Sequence, residues 1–149
     1  MKSNSNIYDT CNEVLVKLFN DIMHIEEKAI INGDFKDISN NDMHIIEAIG
    51  INEPKNMSAV AKALSVTVGT LTIAINTLVK KGYVERVRSE KDRRVVFISL
   101  SEKGRKAYEH HADFHREMIK ATIAGLNSDE VNVLVKSLGN LVDFFKKWQ

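Results

Sequence analysis

MSAVAKALSVTVGTLTIAINTLVKKGYVERVRSEKDRRVVFISLSEKG, running from Met57 to Gly104, is the stretch whose reading decides the fold. "AVAKAL" reads as a short helix capped by Ser58, and "SVT" as a turn of three residues. "VGTLTIAINTLVKKG" continues as a second helix that stops at Gly82, because glycine readily takes the left-handed conformation that ends helices. After Gly82 the period changes. "YVERVRS" and "RVVFISL" are rich in β-branched and aromatic residues, with "EKDR" between them, the pattern of a β-hairpin with a charged tip. Two helices joined by a tight turn and followed by a hairpin make a winged helix-turn-helix.

Working outward, Ser39 with Asp42 three residues on marks the start of a helix ending at Gly50, and "NEPKN" forms a loop around the only proline, Pro54. Before it, Ile7 to Ile31 carries Val14, Leu15, Leu18, Phe19, Ile22, Ile25 and Ala29 at helical spacing, with Asn32-Gly33-Asp34 as the stop. On the other side, Ser101 caps a long helix to about Gly125. Ser128 caps a last one bearing Val131, Leu134, Val135, Leu138, Leu141, Val142, Phe145 and Trp148 at helical spacing. The expected class is mainly α with a small β-wing. The long terminal helices present more apolar surface than one chain covers, and a homodimer is the natural way to bury it.

The chain has 149 residues, 44% hydrophobic and 28% charged, as in ordinary globular proteins. No apolar run approaches the ~20 residues that span a bilayer. The first residues, MKSNSNIYDT, lack the apolar core of a signal peptide, and the lone Cys11 excludes an intramolecular disulfide; a cytoplasmic protein without a membrane partner is expected. Net charge is +1, yet residues 80–106 hold ten Lys/Arg against four Asp/Glu, a local +6. Such a field suits a polyanion.

The helix from Val68 to Lys81, at 100° per residue, turns Leu71, Ala74, Ile75 and Leu78 inward. Gly69, Ile73, Asn76, Thr77 and Lys80 fall opposite, flanked by Thr67, Thr70 and Thr72, and this outer face has no acid. That chemistry fits the DNA major groove. An asparagine can pair with adenine, threonine hydroxyls reach phosphates or base edges, and an isoleucine meets a thymine methyl. The helix N-terminus attracts phosphate. Residues 1–149 thus read as one domain, with a DNA-binding lobe at about 39–101 and dimerisation helices at about 1–32 and 102–149.

Asp92, Arg94, Leu100 and Ser101 match the D-x-R…L-T/S wing pattern of the MarR family of dimeric winged-helix repressors. The helix-turn-helix, "KKGYVER", the wing and the following "KGR" come in that family's order, and the resemblance covers nearly the whole chain. It implies a homodimer on double-stranded DNA at an inverted-repeat operator. It further implies that Arg94 enters the minor groove, oriented by Asp92. Arg86, Arg88, Lys91 and Arg93 would then mostly meet phosphates. Within the family, "VTVGTLT", "LVKKGYVERVRSEKDRRVV" and "FKDISNNDMHIIEAIG" resemble Gram-positive repressors of fatty-acid synthesis genes. That branch is helped onto DNA by long-chain acyl-acyl carrier protein, which implies an acyl pocket between the dimer helices and the DNA-binding lobes.

Other sensors remain as alternatives. Zinc-sensing relatives use a carboxylate on the first helix, a histidine on the second and a histidine pair on the fifth, which Glu26, His44, His111 and His115 resemble; the matching cysteine is absent. These histidines are expected to make ordinary hydrogen bonds, and no metal is required. Peroxide-sensing relatives carry a reactive cysteine on the first helix. Cys11 has Tyr8 nearby and no basic cluster to lower its pKa, so an incidental cysteine is expected. An enzyme is not expected, because "HHADFH" supplies no H-E-x-x-H and no phosphate loop or Ser/His/Asp motif occurs. A non-DNA-binding dimerisation module would leave the basic hairpin unexplained.

Overall fold

The computed structural model describes the backbone of residues 2–31 and 33–149 and the side chains of residues 6–29 and 33–149. Six helices and three strands follow in the order α1 (Lys2–Ile31), α2 (Asn40–Ile49), β1 (Lys55–Asn56), α3 (Met57–Ala63), α4 (Val68–Lys80), β2 (Val84–Arg88), β3 (Val96–Leu100), α5 (Glu102–Ile123) and α6 (Ser128–Lys146). The expected stop residue Asn32 lies outside the described residues. The chain forms two compact units, Met1–His111 and Ala112–Gln149, and the division falls inside α5.

In the first unit the core is built by the inward stripes that the periodicity marks. Met43, Ile46 and Ile49 of α2, Val60 of α3, and Leu71, Ile75 and Leu78 of α4 are buried with Tyr83, Ile98, Leu100 and Ala107. Each buried Val, Leu, Ile or Met side chain among them contributes about 1.5–3 kcal/mol on leaving water. The start of α2 is as expected: Ser39 Oγ accepts from Asp42 N at 3.1 Å and Ser39 N donates back to the Asp42 carboxylate at 3.0 Å. Between α3 and α4 the chain bends by 105°, within the range of helix-turn-helix motifs. Ser65 holds that turn with φ 55. Gly82, with φ 83, reverses the chain from α4 into β2, a conformation that costs glycine nothing.

Three expectations are corrected. The hairpin is part of a three-stranded antiparallel sheet in the order β1-β3-β2. Lys55 and Asn56 pair with Ile98 and Phe97, so the "NEPKN" loop ends in a strand too short to alternate visibly. Ser58 does not cap α3; Asn56 does, its side chain accepting from Ala59 N at 2.7 Å. Ser58 already lies in the first turn, where an N-cap's extended backbone is not available. Likewise Asn127 rather than Ser128 caps α6. Its side chain accepts from Glu130 N at 3.0 Å while Asn127 N donates to Glu130 Oε2 at 2.9 Å, a reciprocal box that Ser128, one residue later, would forgo.

The terminal helices leave their stripes uncovered. On α1, Leu15, Leu18, Phe19 and Ile25 are exposed, and α6 buries no residue while Leu138, Val142, Phe145 and Trp148 lie open. Among the described residues no single helix is long and apolar enough to cross a membrane.

Candidate nucleic-acid interface

Every residue of the expected groove face lies where the helical wheel puts it. Thr67, Gly69, Thr70, Ile73, Asn76 and Lys80 are exposed and Thr72 is half-buried; Ile73 is 72% exposed, an unusual position for a bare isoleucine. Thr67 caps α4. Its Oγ1 accepts from Thr70 N at 3.1 Å and donates to Thr70 Oγ1 at 2.9 Å, which leaves the exposed Thr70 hydroxyl its own proton to donate. Thr72 Oγ1 donates to Val68 O at 2.8 Å and keeps its lone pairs. At Gly69 nothing but Thr67 Oγ1 lies within 4.0 Å of where a Cβ would stand, so the backbone of the first turn is open to close approach.

The hairpin follows a strict register, with Arg86 opposite Ile98 and Arg88 opposite Val96. Its tip is closed by Ser89 N to Val95 O and Val95 N to Asp92 O, each 2.9 Å. Within that frame Asp92 receives three bonds from one residue: Arg94 N at 3.0 Å, Arg94 Nε at 3.1 Å and Arg94 Nη2 at 3.3 Å. The side-chain bonds of Arg94, then its backbone bond, hold the Asp92 carboxyl below its ordinary value of 3.8. Arg94 itself stays 90% exposed. A guanidinium is thus fixed in direction while remaining open to solvent. Arg86, Arg88, Lys91 and Arg93 are exposed around it.

At the wing root lies a polar knot that carries no local sequence signal. Tyr83 OH donates to the Asp37 carboxylate, Lys81 Nζ donates to Asp37 O, and Lys103 Nζ sits 3.6 Å from the same carboxylate and 4.3 Å above the Tyr83 ring. The tyrosine hydrogen bond is the main reason the Asp37 carboxyl lies below 3.8, against an opposing effect of burial. Gly104 of α5 packs so closely that a Cβ there would fall 2.1 Å from Tyr83 O. Another bond missed from sequence joins helix to wing: Arg86 Nη2 donates to Asn76 Oδ1.

The residues of the zinc alternative are placed as follows. Glu26 and His111 are buried, with ligand atoms within 4.8 Å of one another. The His44 ring stands edge-on to His111, and both rings approach Glu47 Oε2 at 3.7 Å. His115 is half-buried in the second unit, and Cys11 is exposed on α1. Behind α4 a mostly apolar groove of about 350 Å³ is lined by residues that include His44, Ile45, Leu64, Val66 and Leu71.

Residues 28–111 match the family described as transcriptional regulator SarA/Rot. The structure is similar to FabT of Streptococcus pneumoniae, itself solved in complex with DNA, at 43% identity over 95% of this chain and 99% of that one, with a TM-score of 0.86. Among curated proteins, the HTH-type regulator YpoP of Bacillus subtilis is 32% identical over 75 residues, which cover 50% of this chain and 53% of YpoP; the chain thus spans about half the length of that relative. MarR of Escherichia coli, at 22% identity and a TM-score of 0.64 over 87% of this chain and 95% of its own, shares the fold. With a family match over more than half its length, the chain belongs to the SarA/Rot family of transcriptional regulators and is built on the winged helix of MarR-type proteins.

Proposed function

We propose that the chain acts as a homodimeric, sequence-specific repressor that places α4 in the major groove and the β2–β3 tip in the adjacent minor groove of an inverted-repeat operator. The observation that carries this reading is the Asp92–Arg94 pair: an arginine aimed by the three bonds it donates to a neighbouring carboxylate, yet 90% exposed. Folding gains little from such an exposed pair, whereas an inserted arginine needs a fixed direction. The acid-free outer face of α4 supports the same placement. Thr67, Gly69, Thr70, Thr72, Ile73, Asn76 and Lys80 would meet bases and phosphates there, and Arg86, Arg88, Lys91 and Arg93 would meet phosphates. The bare stripes on α1 and α6 support a second copy as the dimer partner.

The resemblance to fatty-acid-synthesis repressors, together with the 43% identity to FabT, supports lipid-synthesis genes as targets and a long-chain acyl-acyl carrier protein as effector. On this reading no metal is needed, and chelators leave operator affinity unchanged. The test is a fluorescence-anisotropy titration of the dimer against operator duplex at rising salt. If the dimer neutralises about six to ten phosphates, affinity falls by ~10³–10⁵ between 50 and 200 mM. A flat response refutes the placement. Arg93→Ala should lower affinity uniformly across sequences and reduce the salt slope by about two for the dimer, about one for each protomer's contact.

A further inference from the structure

Arg86 lies on the same face of β2 as the buried Val84, two residues away, which turns its side chain toward α4. From there its Nη2 donates to Asn76 Oδ1. A guanidinium carries donors only, so the amide must present its oxygen to Arg86 and its two Nδ2 hydrogens elsewhere. Asn76 is exposed on the outer face of α4, so those hydrogens are what it offers to a base edge. Pairing with adenine in the manner expected of asparagine requires Oδ1 to accept from N6 while Nδ2 donates to N7. The second lone pair of Oδ1 is a poor substitute: an amino donor approaching it also approaches the guanidinium charge.

We propose that Arg86 is a specificity-determining residue, converting Asn76 from an adenine reader into half of an all-donor fork that selects guanine. Guanine offers two acceptors in the major groove, N7 and O6, and cytosine and adenine each offer an amino donor in the same place. The cation beside Oδ1 attracts O6 and repels N6. This inference rests on the reading that α4 lies in the major groove.

The test uses the full-length dimer. A randomised duplex library is selected for binding, and each base pair of the selected site is then replaced and measured by anisotropy. Asn76→Ala identifies the base pair that residue 76 reads, as the position where discrimination collapses. The wild type should prefer guanine over adenine there by about fivefold or more, the low end of what one base-directed contact achieves. Arg86→Met should erase or reverse that ratio. The loss of its positive charge near the DNA backbone lowers affinity for all sequences alike, so the guanine-to-adenine ratio remains the readout of its effect on residue 76. An adenine preference in the wild type, or a guanine preference that survives in Arg86→Met, overturns the inference alone. If Asn76→Ala discriminates no differently at any base pair, the major-groove placement falls and the inference falls with it.

Discussion

Gly104→Ala puts one methyl group into the tightest close approach at the wing root. The added Cβ would stand 2.1 Å from Tyr83 O, 3.1 Å from Tyr83 C and 3.2 Å from Leu100 Cβ. The first contact is more than an ångström short, and its partner is backbone, which no rotamer change can move. Nor is that carbonyl free to swing: it accepts from Ser101 N at 3.0 Å, while Ser101 Oγ donates to Gly82 O and accepts from Gly104 N at 3.1 Å. Either α5 or the start of β2 must shift and weaken these bonds. Overpacking of this kind costs about 1–3 kcal/mol, and loss of one hydrogen bond adds about 1 kcal/mol, so the expected cost is near 3 kcal/mol. At roughly 4 °C per kcal/mol for a chain of this size, thermal unfolding followed by circular dichroism should move down by about 10 °C. Protein concentration must be fixed, since a dimer's midpoint depends on it. Gly69→Ala is the control, because its Cβ would meet only Thr67 Oγ1 at 4.0 Å. It should raise the midpoint slightly through better helix propensity, yet weaken DNA binding by crowding the open first turn. A Gly104→Ala midpoint within 2 °C of wild type, on a scale where about 10 °C is expected, refutes the close-approach argument.

Tyr83→Phe removes the bond that holds the Asp37 carboxyl below 3.8. A depressed carboxyl stabilises the fold above its unfolded pKa and loses that stabilisation as pH falls through its folded one. This group's contribution should therefore fade below about pH 4, and a denaturation series in acid should be flatter for Tyr83→Phe than for the wild type. For the dimer, Leu138→Glu with Phe145→Glu places charge on the bare α6 stripe; sedimentation velocity at micromolar protein should shift to monomer or aggregate, and an unchanged dimer refutes that stripe as the interface. Arg94→Ala should weaken specific binding by ~1–3 kcal/mol and relax preference at the outer A·T-rich positions. Asp92→Ala should weaken binding too, and an operator bound more tightly at physiological salt counts against the orienting role.

Where a signal was local and repeated, the sequence was enough to read it. The inward stripe Leu71, Ile75, Leu78 repeats over about two turns and the Ser39–Asp42 box spans four residues, so each is encoded locally, whereas the Asp92–Arg94 pair was expected from the resemblance to the MarR family. Two caps differ from expectation because residues within two positions of each other compete for one role. Asn56 and Ser58, and Asn127 and Ser128, are both good cap formers, and only the position of the first free N–H separates them. Strand β1 is two exposed residues long, too short for any alternation to register. The bonds Tyr83–Asp37 and Arg86–Asn76 join residues 46 and 10 apart. Both depend on how elements pack, which no local pattern contains.

The wing divides into a fixed root and an exposed tip, and the two halves solve different problems. At the root, Tyr83 is fully buried, bonded to Asp37 and pressed against Gly104, so the direction in which β2 leaves the core is set by packing. At the tip there is no core to set direction, and the side chain in question is among the most flexible available. An arginine left free would lose its rotamer freedom at the moment of binding, at a cost of about 0.5–1.5 kcal/mol. Asp92 moves that ordering into the folded state, because it accepts from both the backbone and the guanidinium of Arg94. Its negative charge beside a polyanion would be a liability on its own. Paired, it is offset by the group it orients, and the flanking Arg88, Lys91 and Arg93 keep the surrounding field positive. A short basic hairpin in a nearly neutral chain therefore requires a carboxylate at position 92, since charge alone would attract DNA without directing any side chain into it.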